Sequence, residues 1–169
     1  LFKSEFSGAT EQYNPSAWDN RSLLSAIFGR KLPRDWELGL KFRYAGSSPY
    51  TPFDLDASRR NYLTTGQGIL NYALVNSQRL RSFKQLDIRI DKKWNFKKTT
   101  IDLFLDIQNI TNSKTTGSLS YTFERNAENT DFATTDGQPV NIDGSNAIPK
   151  ILKDNDGTIL PSIGFILEF

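Results

Sequence analysis

Several stretches of the chain alternate between apolar and polar side chains. Residues 36–44 read WELGLKFRY, residues 86–94 read LDIRIDKKW and residues 100–108 read TIDLFLDIQ. A period of two fits β-strands and does not fit helices. The last segment, PSIGFILEF, puts four apolar side chains on one face: Ile163, Phe165, Leu167 and Phe169. The pattern predicts strands at about 21–31, 36–46, 83–95, 99–110 and 161–169, with residues 1–8 as the end of an incoming strand.

The connections between these strands fall into two sizes. Residues 32–35 and 95–98 are tight turns, whereas 47–82 and 111–160 are long, and the second is rich in Asn, Asp, Gly, Ser and Thr. Long connections without secondary structure argue against a compact soluble domain. Alternation of short turns and long loops is typical of outer-membrane β-barrels. We therefore expect two long extracellular loops, at about 47–82 and 111–160.

Composition removes several classes of function. The net charge of +2 gives no reason to expect a nucleic-acid partner. The chain contains no Cys and no His, which excludes Ser-His-Asp and Cys-His catalytic groups and thiolate metal sites. We therefore predict that it is not an enzyme and has no catalytic residue, no metal site and no cofactor.

Two tryptophans flank the tight turns. Trp36 follows the first turn and Trp94 precedes the second, so both are predicted at one end of the sheet, joined there by Phe169 if the last strand runs that way. A row of aromatics at one level is typical of the interfacial girdle of a membrane barrel. The alternative is that tryptophans pack beneath turns, as in any β protein.

Four aspartates form an acidic cluster on two neighbouring strands: Asp87, Asp91, Asp102 and Asp106. One interpretation is a carboxylate pair for glycoside hydrolysis, which needs one raised pKa and a set spacing. The other is a set of charges compensated by Arg89 and Lys93, and we favour this second interpretation.

Four aromatic residues in the first long loop are candidates for ligand binding: Tyr50, Phe53, Tyr62 and Tyr72. Exposed rings could stack on a sugar or a siderophore. They could equally pack the loop against its neighbours, and the sequence leaves both alternatives open.

Charge sets the expected register between 83–95 and 99–110. A two-residue loop would place aspartates opposite each other, which is destabilising. A four-residue loop, 96–99, places Lys93 opposite Asp102 and Arg89 opposite Asp106, with Asp91 opposite Phe104. It keeps the apolar faces together. We therefore predict the wider loop.

The sequence resembles a known family, the TonB-dependent outer-membrane transporters of the type abundant in Bacteroidetes. The matching stretches are PSAWDNRSLLS (15–25), WELGLKFRYAGSSPYTPFD (36–54), RLRSFKQLDIRIDKKWNFKK (79–98), IDLFLDIQNITN (101–112) and LPSIGFILEF (160–169).

The resemblance implies an all-β fold, an antiparallel transmembrane barrel of roughly 22 strands closed around a plug. Residues 1–169 would be a C-terminal part of that single barrel domain, located in the cell outer membrane. Phe165, Leu167 and Phe169 would form the signal read by the barrel-assembly machinery. The implied partners are outer-membrane lipid, the rest of the barrel and plug, a TonB-type energy-coupling protein and a surface lipoprotein.

The resemblance also implies a function, TonB-dependent import of a siderophore, glycan or other nutrient. One apolar set would then face lipid: Leu38, Leu40, Phe42, Ile88, Ile90, Ile101, Leu103, Leu105, Ile107, Phe165 and Leu167. The charged partners would face the lumen: Lys41, Arg43, Asp87, Arg89, Asp102 and Asp106. Two alternatives remain, a barrel serving as scaffold or adhesion component of a surface complex, and a secreted carbohydrate-binding β-sandwich.

Overall fold

The computed structural model describes residues 2–8 and 12–169. Most of its regular structure is strand. The elements in chain order are β1 (Glu5–Ser7), β2 (Tyr13–Pro15), β3 (Leu23–Leu32), β4 (Trp36–Ala45), β5 (Pro49–Tyr50), α1 (Leu55–Thr65), a 3₁₀ turn (Tyr72–Leu74), β6 (Gln78–Arg79), β7 (Phe83–Asn95), β8 (Thr100–Gln108), β9 (Thr115–Phe123), β10 (Pro149–Asp156) and β11 (Leu160–Glu168).

The five long strands predicted from alternation form one antiparallel sheet in the order β11-β8-β7-β4-β3. Each of these strands pairs with the one that precedes it among the five. The all-β, antiparallel prediction is therefore confirmed. Within the described residues the sheet is open, with β11 and β3 at its two edges, and it does not close into a barrel.

The predicted register between β7 and β8 is confirmed. Lys93 pairs with Asp102 and Arg89 with Asp106, while Asp91 lies opposite Phe104. The Phe96 N–H donates to the Thr99 carbonyl at 2.8 Å and closes the four-residue loop. Opposite charges across the strands outweighed the general preference for two-residue hairpin loops.

The long connections contain secondary structure that the sequence pattern did not predict. Residues 47–82 contain α1, which Asp54 caps by accepting from the Ala57 N–H at 2.9 Å, and which ends at Gly66 with a φ of 67°. Residues 111–160 contain a second antiparallel pair, β9 with β10. These elements form because aromatic side chains scattered through both connections pack together.

The aromatic cluster joins the two connections and is the buried core of the described chain. Its centre is Tyr121, Phe123 and Ala147, each less than 5% exposed. Around it lie partly buried side chains from both connections: Phe53, Tyr62, Phe132 and Val140. The rings meet edge-on or tilted, with centroids 4.8 Å apart for Tyr62–Phe123 and 5.4 Å for Phe123–Phe132. Such pairs add to the free energy gained by burial.

For residues 1–8 the sequence predicts the end of an incoming strand. Residue 1 lies outside the described residues, and the others contain the short strand β1, which pairs with β2 in a separate two-stranded sheet. The segment that follows β2 is held by a partly buried ion pair, in which Arg79 Nη2 donates to Asp19 Oδ2 at 2.5 Å. Because Arg79 Nη1 also donates to the carbonyls of Asp19 and Ser47, one guanidinium ties three segments together.

None of the helices in the described part of the chain is long and apolar enough to cross a lipid bilayer.

Candidate functional site

The five-stranded sheet has one apolar face that no described residue covers. In register, Leu38 pairs with Ile90 and Ile90 with Leu105, and Leu105 pairs with Ile163 of the edge strand. Leu105 is 38% exposed and Phe165 is 73% exposed. The sheet therefore presents its apolar side outwards, and the buried core lies in the connections instead. Besides three cations, Arg30, Lys84 and Lys92, the apolar face carries Leu24, Ala26, Phe28, Leu32, Trp36, Leu38, Leu40, Phe42, Tyr44, Leu86, Ile88, Ile90, Trp94, Ile101, Leu103, Leu105, Ile107, Ile163, Phe165 and Leu167.

One end of the apolar face is aromatic and carries a lysine that the sequence pattern did not explain. Trp36 and Trp94 lie at this end, as does Phe169, which follows β11 and is 98% exposed. Lys92, which interrupts the alternation of β7, places its Nζ 5.3 Å from the Trp94 ring centroid and 5.8 Å from that of Trp36. The same Nζ donates to the Arg34 carbonyl in the tight turn. The aliphatic stem of Lys92 therefore lies along the apolar face while its charge reaches the end of the sheet.

Another cation on the apolar face is Arg30 of β3, which lies opposite Leu38. It lies three positions before Pro33 of the tight turn, so its long side chain can also reach the same end of the sheet.

The opposite face, called the polar face, carries a network of ion pairs. Arg89 binds Asp91 through Nε at 3.0 Å and Nη2 at 2.7 Å. Lys93 lies 3.6 Å from Asp102 and 3.9 Å from Glu37. Opposite charges thus alternate along and across the strands, as the register requires.

Asp87 is also held on this face. It lies 3.4 Å from Arg43, accepts from the Gln85 side chain at 2.7 Å and accepts from the Asn109 backbone N–H at 2.9 Å. Three of the four clustered aspartates therefore have a cation partner, which is the arrangement expected of a compensated network. Within residues 2–8 and 12–169, no three acidic side chains come together to hold a metal ion.

An aromatic ring bridges β8 and β11 on the polar face. The Arg89 guanidinium lies 4.1 Å from the Phe104 ring centroid. Phe104 in turn covers Gly164 of β11, where a Cβ would collide with the ring. Only glycine fits at position 164 while the Phe104 ring lies over it. The ring in turn covers the backbone of β11 where glycine has no side chain to do so.

The four candidate ligand-binding aromatics separate into two pairs. Phe53 and Tyr62 lie in the aromatic cluster, where the Tyr62 hydroxyl and Thr122 Oγ1 are 2.8 Å apart. Tyr50 lines a cavity beside Arg79, and Tyr72 is 74% exposed. The structure therefore gives Phe53 and Tyr62 a packing role, while ligand contact by Tyr50 and Tyr72 stays a prediction.

Asp19, in the segment after β2, and Tyr121, in the second connection, are among the groups outside the five-stranded sheet whose pKa is shifted. The hydrogen bond from Arg79 lowers the pKa of Asp19, against the opposing effect of burial. Burial raises the pKa of Tyr121, whose hydroxyl has no hydrogen-bond partner among the described residues.

The residues proposed as an assembly signal lie on an edge strand. Phe165 and Leu167 belong to β11, which pairs with β8 on one side only within the described chain, and Phe169 follows it. Their apolar side chains are exposed, and their role in assembly stays a prediction.

The chain was compared with protein-family models, with curated proteins and with solved structures, and none of them matches.

Proposed function

We propose that this chain is a segment of an outer-membrane β-barrel that imports a ligand with TonB-type energy coupling. The observation that carries the barrel part of the proposal is the two-sided sheet. One face is apolar and uncovered by described residues, and the other is an ion-pair network. A soluble sandwich would cover the apolar face with a second layer. A barrel strand instead turns its apolar side chains to lipid and its polar ones to the lumen.

The height of the apolar face supports this placement. Trp94 and Lys84 are ten residue steps apart on β7. With a rise of about 3.4 Å per residue and a tilt of about 40°, this distance corresponds to about 26 Å along the membrane normal. The apolar band of an outer-membrane barrel is about 25 Å tall and is bordered by aromatic residues.

The open edges support a larger closed structure. In lipid every backbone N–H and C=O must find a partner within the protein, so an open sheet edge is excluded. β3 and β11 would therefore pair with further strands of the same barrel. The short turns lie at one end of the sheet, and the ordered connections leave from the other end, as extracellular loops would.

The import function rests on the resemblance of the five matching stretches to TonB-dependent transporters. In that family the loops bind the ligand and a plug moves to release it. The polar face of the sheet would then line the lumen against the plug, and its ion pairs would keep the wall rigid and close to neutral.

The absence of cysteine from the chain permits a direct test. The single substitutions Leu105→Cys and Asp106→Cys introduce thiols at neighbouring positions on opposite faces of β8. In outer membranes of cells that make the full-length protein, the Leu105→Cys variant should react with a membrane-soluble maleimide and resist a charged one. The Asp106→Cys variant should react with the charged reagent, because its thiol would face the lumen. Labelling of the unsubstituted protein gives the background from any cysteine elsewhere.

Two results would contradict the barrel. One is rapid labelling at both positions by the charged reagent. The other is recovery of the full-length protein in a washed soluble fraction without detergent. Import is tested separately: growth on a required nutrient should depend on both this protein and the energy-coupling protein, whereas a scaffold would give no such dependence.

A further inference from the structure

A basic groove lies at the end of the sheet opposite the tryptophans. Arg81, Lys84 and Lys114 line a cavity of about 460 Å³ together with the hydroxyl-bearing Ser82, Thr111 and Ser113. Arg81 also lines a neighbouring cavity of about 290 Å³, which Lys153 and Tyr50 border. Arg81 lines both cavities, so they lie side by side, and together they are called the basic groove.

Four cations of this groove, Arg81, Lys84, Lys114 and Lys153, have no ion-pair partner within the described chain, whereas Arg79, which also lines the smaller cavity, is paired with Asp19. Of the described side chains that line the two cavities, none is acidic. The side chains of these four residues form no hydrogen bond and no ion pair with the part of the chain that the structure describes. Most cations of the polar face, by contrast, are paired with an acidic side chain. Like charges held together without acids raise the local affinity for an anion.

The walls of the groove are fixed by the structure beneath them. The buried Asn109 accepts from the Ser113 N–H at 2.9 Å, and its side-chain amide donates to the Ser113 and Thr158 carbonyls. Thr111 Oγ1 and Ser113 Oγ lie 2.9 Å apart. These bonds fix the backbone next to Lys114. On the other side of the groove the Leu80 N–H, next to Arg81, donates to the Ser48 carbonyl at 2.8 Å. The backbone that carries the cations and hydroxyls is therefore held in place before a ligand binds, which lowers the cost of ordering the site.

The groove opens beside the apolar face. Lys84 pairs with Tyr44 and shares a face with Leu86 and Ile88. It therefore extends the apolar face at the end opposite Trp94. A ligand that joins an anionic group to an apolar body would fit this border.

We propose that this groove binds a phosphate group. Arg81, Lys84 and Lys114 supply charge-assisted donors to the phosphate oxygens, and the three hydroxyls add neutral ones. The phosphate can come from an anionic lipid headgroup at the membrane surface or from a soluble phosphate ester. Only the lipid source depends on the proposed membrane placement, because the groove itself exists whether or not the protein transports anything.

The test compares two charge-matched variants of the full-length protein. The groove variant is Arg81→Gln, Lys84→Gln and Lys114→Gln. The control variant is Arg34→Gln, Lys97→Gln and Lys98→Gln, which removes the same charges from exposed positions at the other end of the sheet. Affinity is measured for dioleoylphosphatidylglycerol against dioleoylphosphatidylcholine in mixed micelles, and for inorganic phosphate and glucose 6-phosphate by calorimetry.

The groove variant should lose about tenfold or more in affinity for the phosphate probe that binds, because three charged donors are removed, while the control variant keeps it. Loss confined to phosphatidylglycerol identifies a lipid, and loss for the soluble probes identifies a free phosphate. Equal affinity of wild type and groove variant for every probe, or equal loss in the control, overturns the proposal. If the triple variant does not fold, Lys84→Gln and Lys114→Gln are measured singly with the same criteria.

Failure of the proposed barrel and failure of the proposed phosphate site would give different results. A protein that needs no detergent would refute the membrane placement and leave the soluble-phosphate measurement intact. A detergent-requiring protein whose groove variant binds normally would refute the phosphate site alone.

Discussion

A lysine placed at different heights on the apolar face of β8 should cost different amounts of stability. Leu105 lies opposite Ile90, which is four residues from Trp94, so it lies about 10 Å above the tryptophan level at a strand tilt of about 40°. Ile101 lies opposite Trp94 itself. The two side chains share a strand and a face, and they differ in their depth within the proposed band.

The magnitude follows from that depth. Near the midplane a lysine costs about 2–4 kcal/mol, and near the interface it costs about 0–1 kcal/mol. Leu105→Lys should therefore lower the free energy of unfolding by about 2–3 kcal/mol more than Ile101→Lys does, which is a factor of about 30 to 150 in the equilibrium constant. Leu103→Lys should fall between them, because Leu103 lies opposite Lys92, only two residues from the level of Trp94. If Leu103→Lys cost as much as a lysine at the membrane midplane, Leu103 would have to lie further from the tryptophan level than its pairing with Lys92 indicates.

The assay is reversible denaturant unfolding of the full-length protein folded into phosphatidylcholine vesicles. Each variant is compared with wild type at the same protein-to-lipid ratio. Equal costs at Ile101 and Leu105, or a larger cost at Ile101, would refute the depth argument. Folding of Leu105→Lys to wild-type stability without lipid would refute the lipid-facing placement as a whole.

Three further perturbations test the structure away from the apolar face. Gly164→Ala should destabilise β11 by about 1–3 kcal/mol because the new Cβ collides with the Phe104 ring, and adding Phe104→Leu to it should restore part of the lost stability. Gly29→Ala, whose Cβ meets open space, should leave the stability unchanged in the same unfolding assay. Asp19→Asn should speed amide hydrogen exchange around residues 15–22 at pH 7. Since the folded pKa of Asp19 is lowered, the difference in exchange rate from wild type should shrink as the pH falls below the ordinary aspartate pKa of 3.8, and a constant difference down to about pH 2 would contradict the role of this ion pair. Asn109→Ala should cost about 1–3 kcal/mol, because it leaves the buried backbone groups that its amide satisfies without partners, and an unchanged denaturation midpoint would exclude that role.

Strands and register could be predicted because the sheet follows local rules. Alternation located β4, β7, β8 and β11 to within a residue or two, since apolar side chains recur at nearly every second position and this period assigns them to one face. The charged residues then select one register among those that alternation allows, because only this register pairs both Arg89 and Lys93 with aspartates.

The long connections could not be predicted by the same rules. The sequence of α1, LDASRRNYLTT, has a weak apolar stripe, so its period gave no helix signal. Its position depends on Tyr62 meeting Tyr121 and Phe123, which lie about sixty residues further along the chain. Contacts at that separation depend on the tertiary fold and leave no local pattern. The position of Lys92 between two tryptophans could not be predicted for a related reason. Trp36 comes next to Lys92 and Trp94 only after β4 and β7 pair.

The buried core lies apart from the apolar face of the sheet, which is compatible with the proposed placement of that face in lipid. The aromatic cluster buries its rings within the connections, so the folding of α1, β9 and β10 does not draw on the apolar face of the sheet. That face is then free to be buried by something outside the described residues. Hydrophobic burial scales with the area removed from water, so a sheet with this much exposed apolar area gains most of its stability only when lipid or protein covers it. The connections should therefore retain hydrogen-exchange protection under conditions that unfold the sheet in detergent. If both parts lost protection together, the cluster would depend on the sheet and this separation would be wrong.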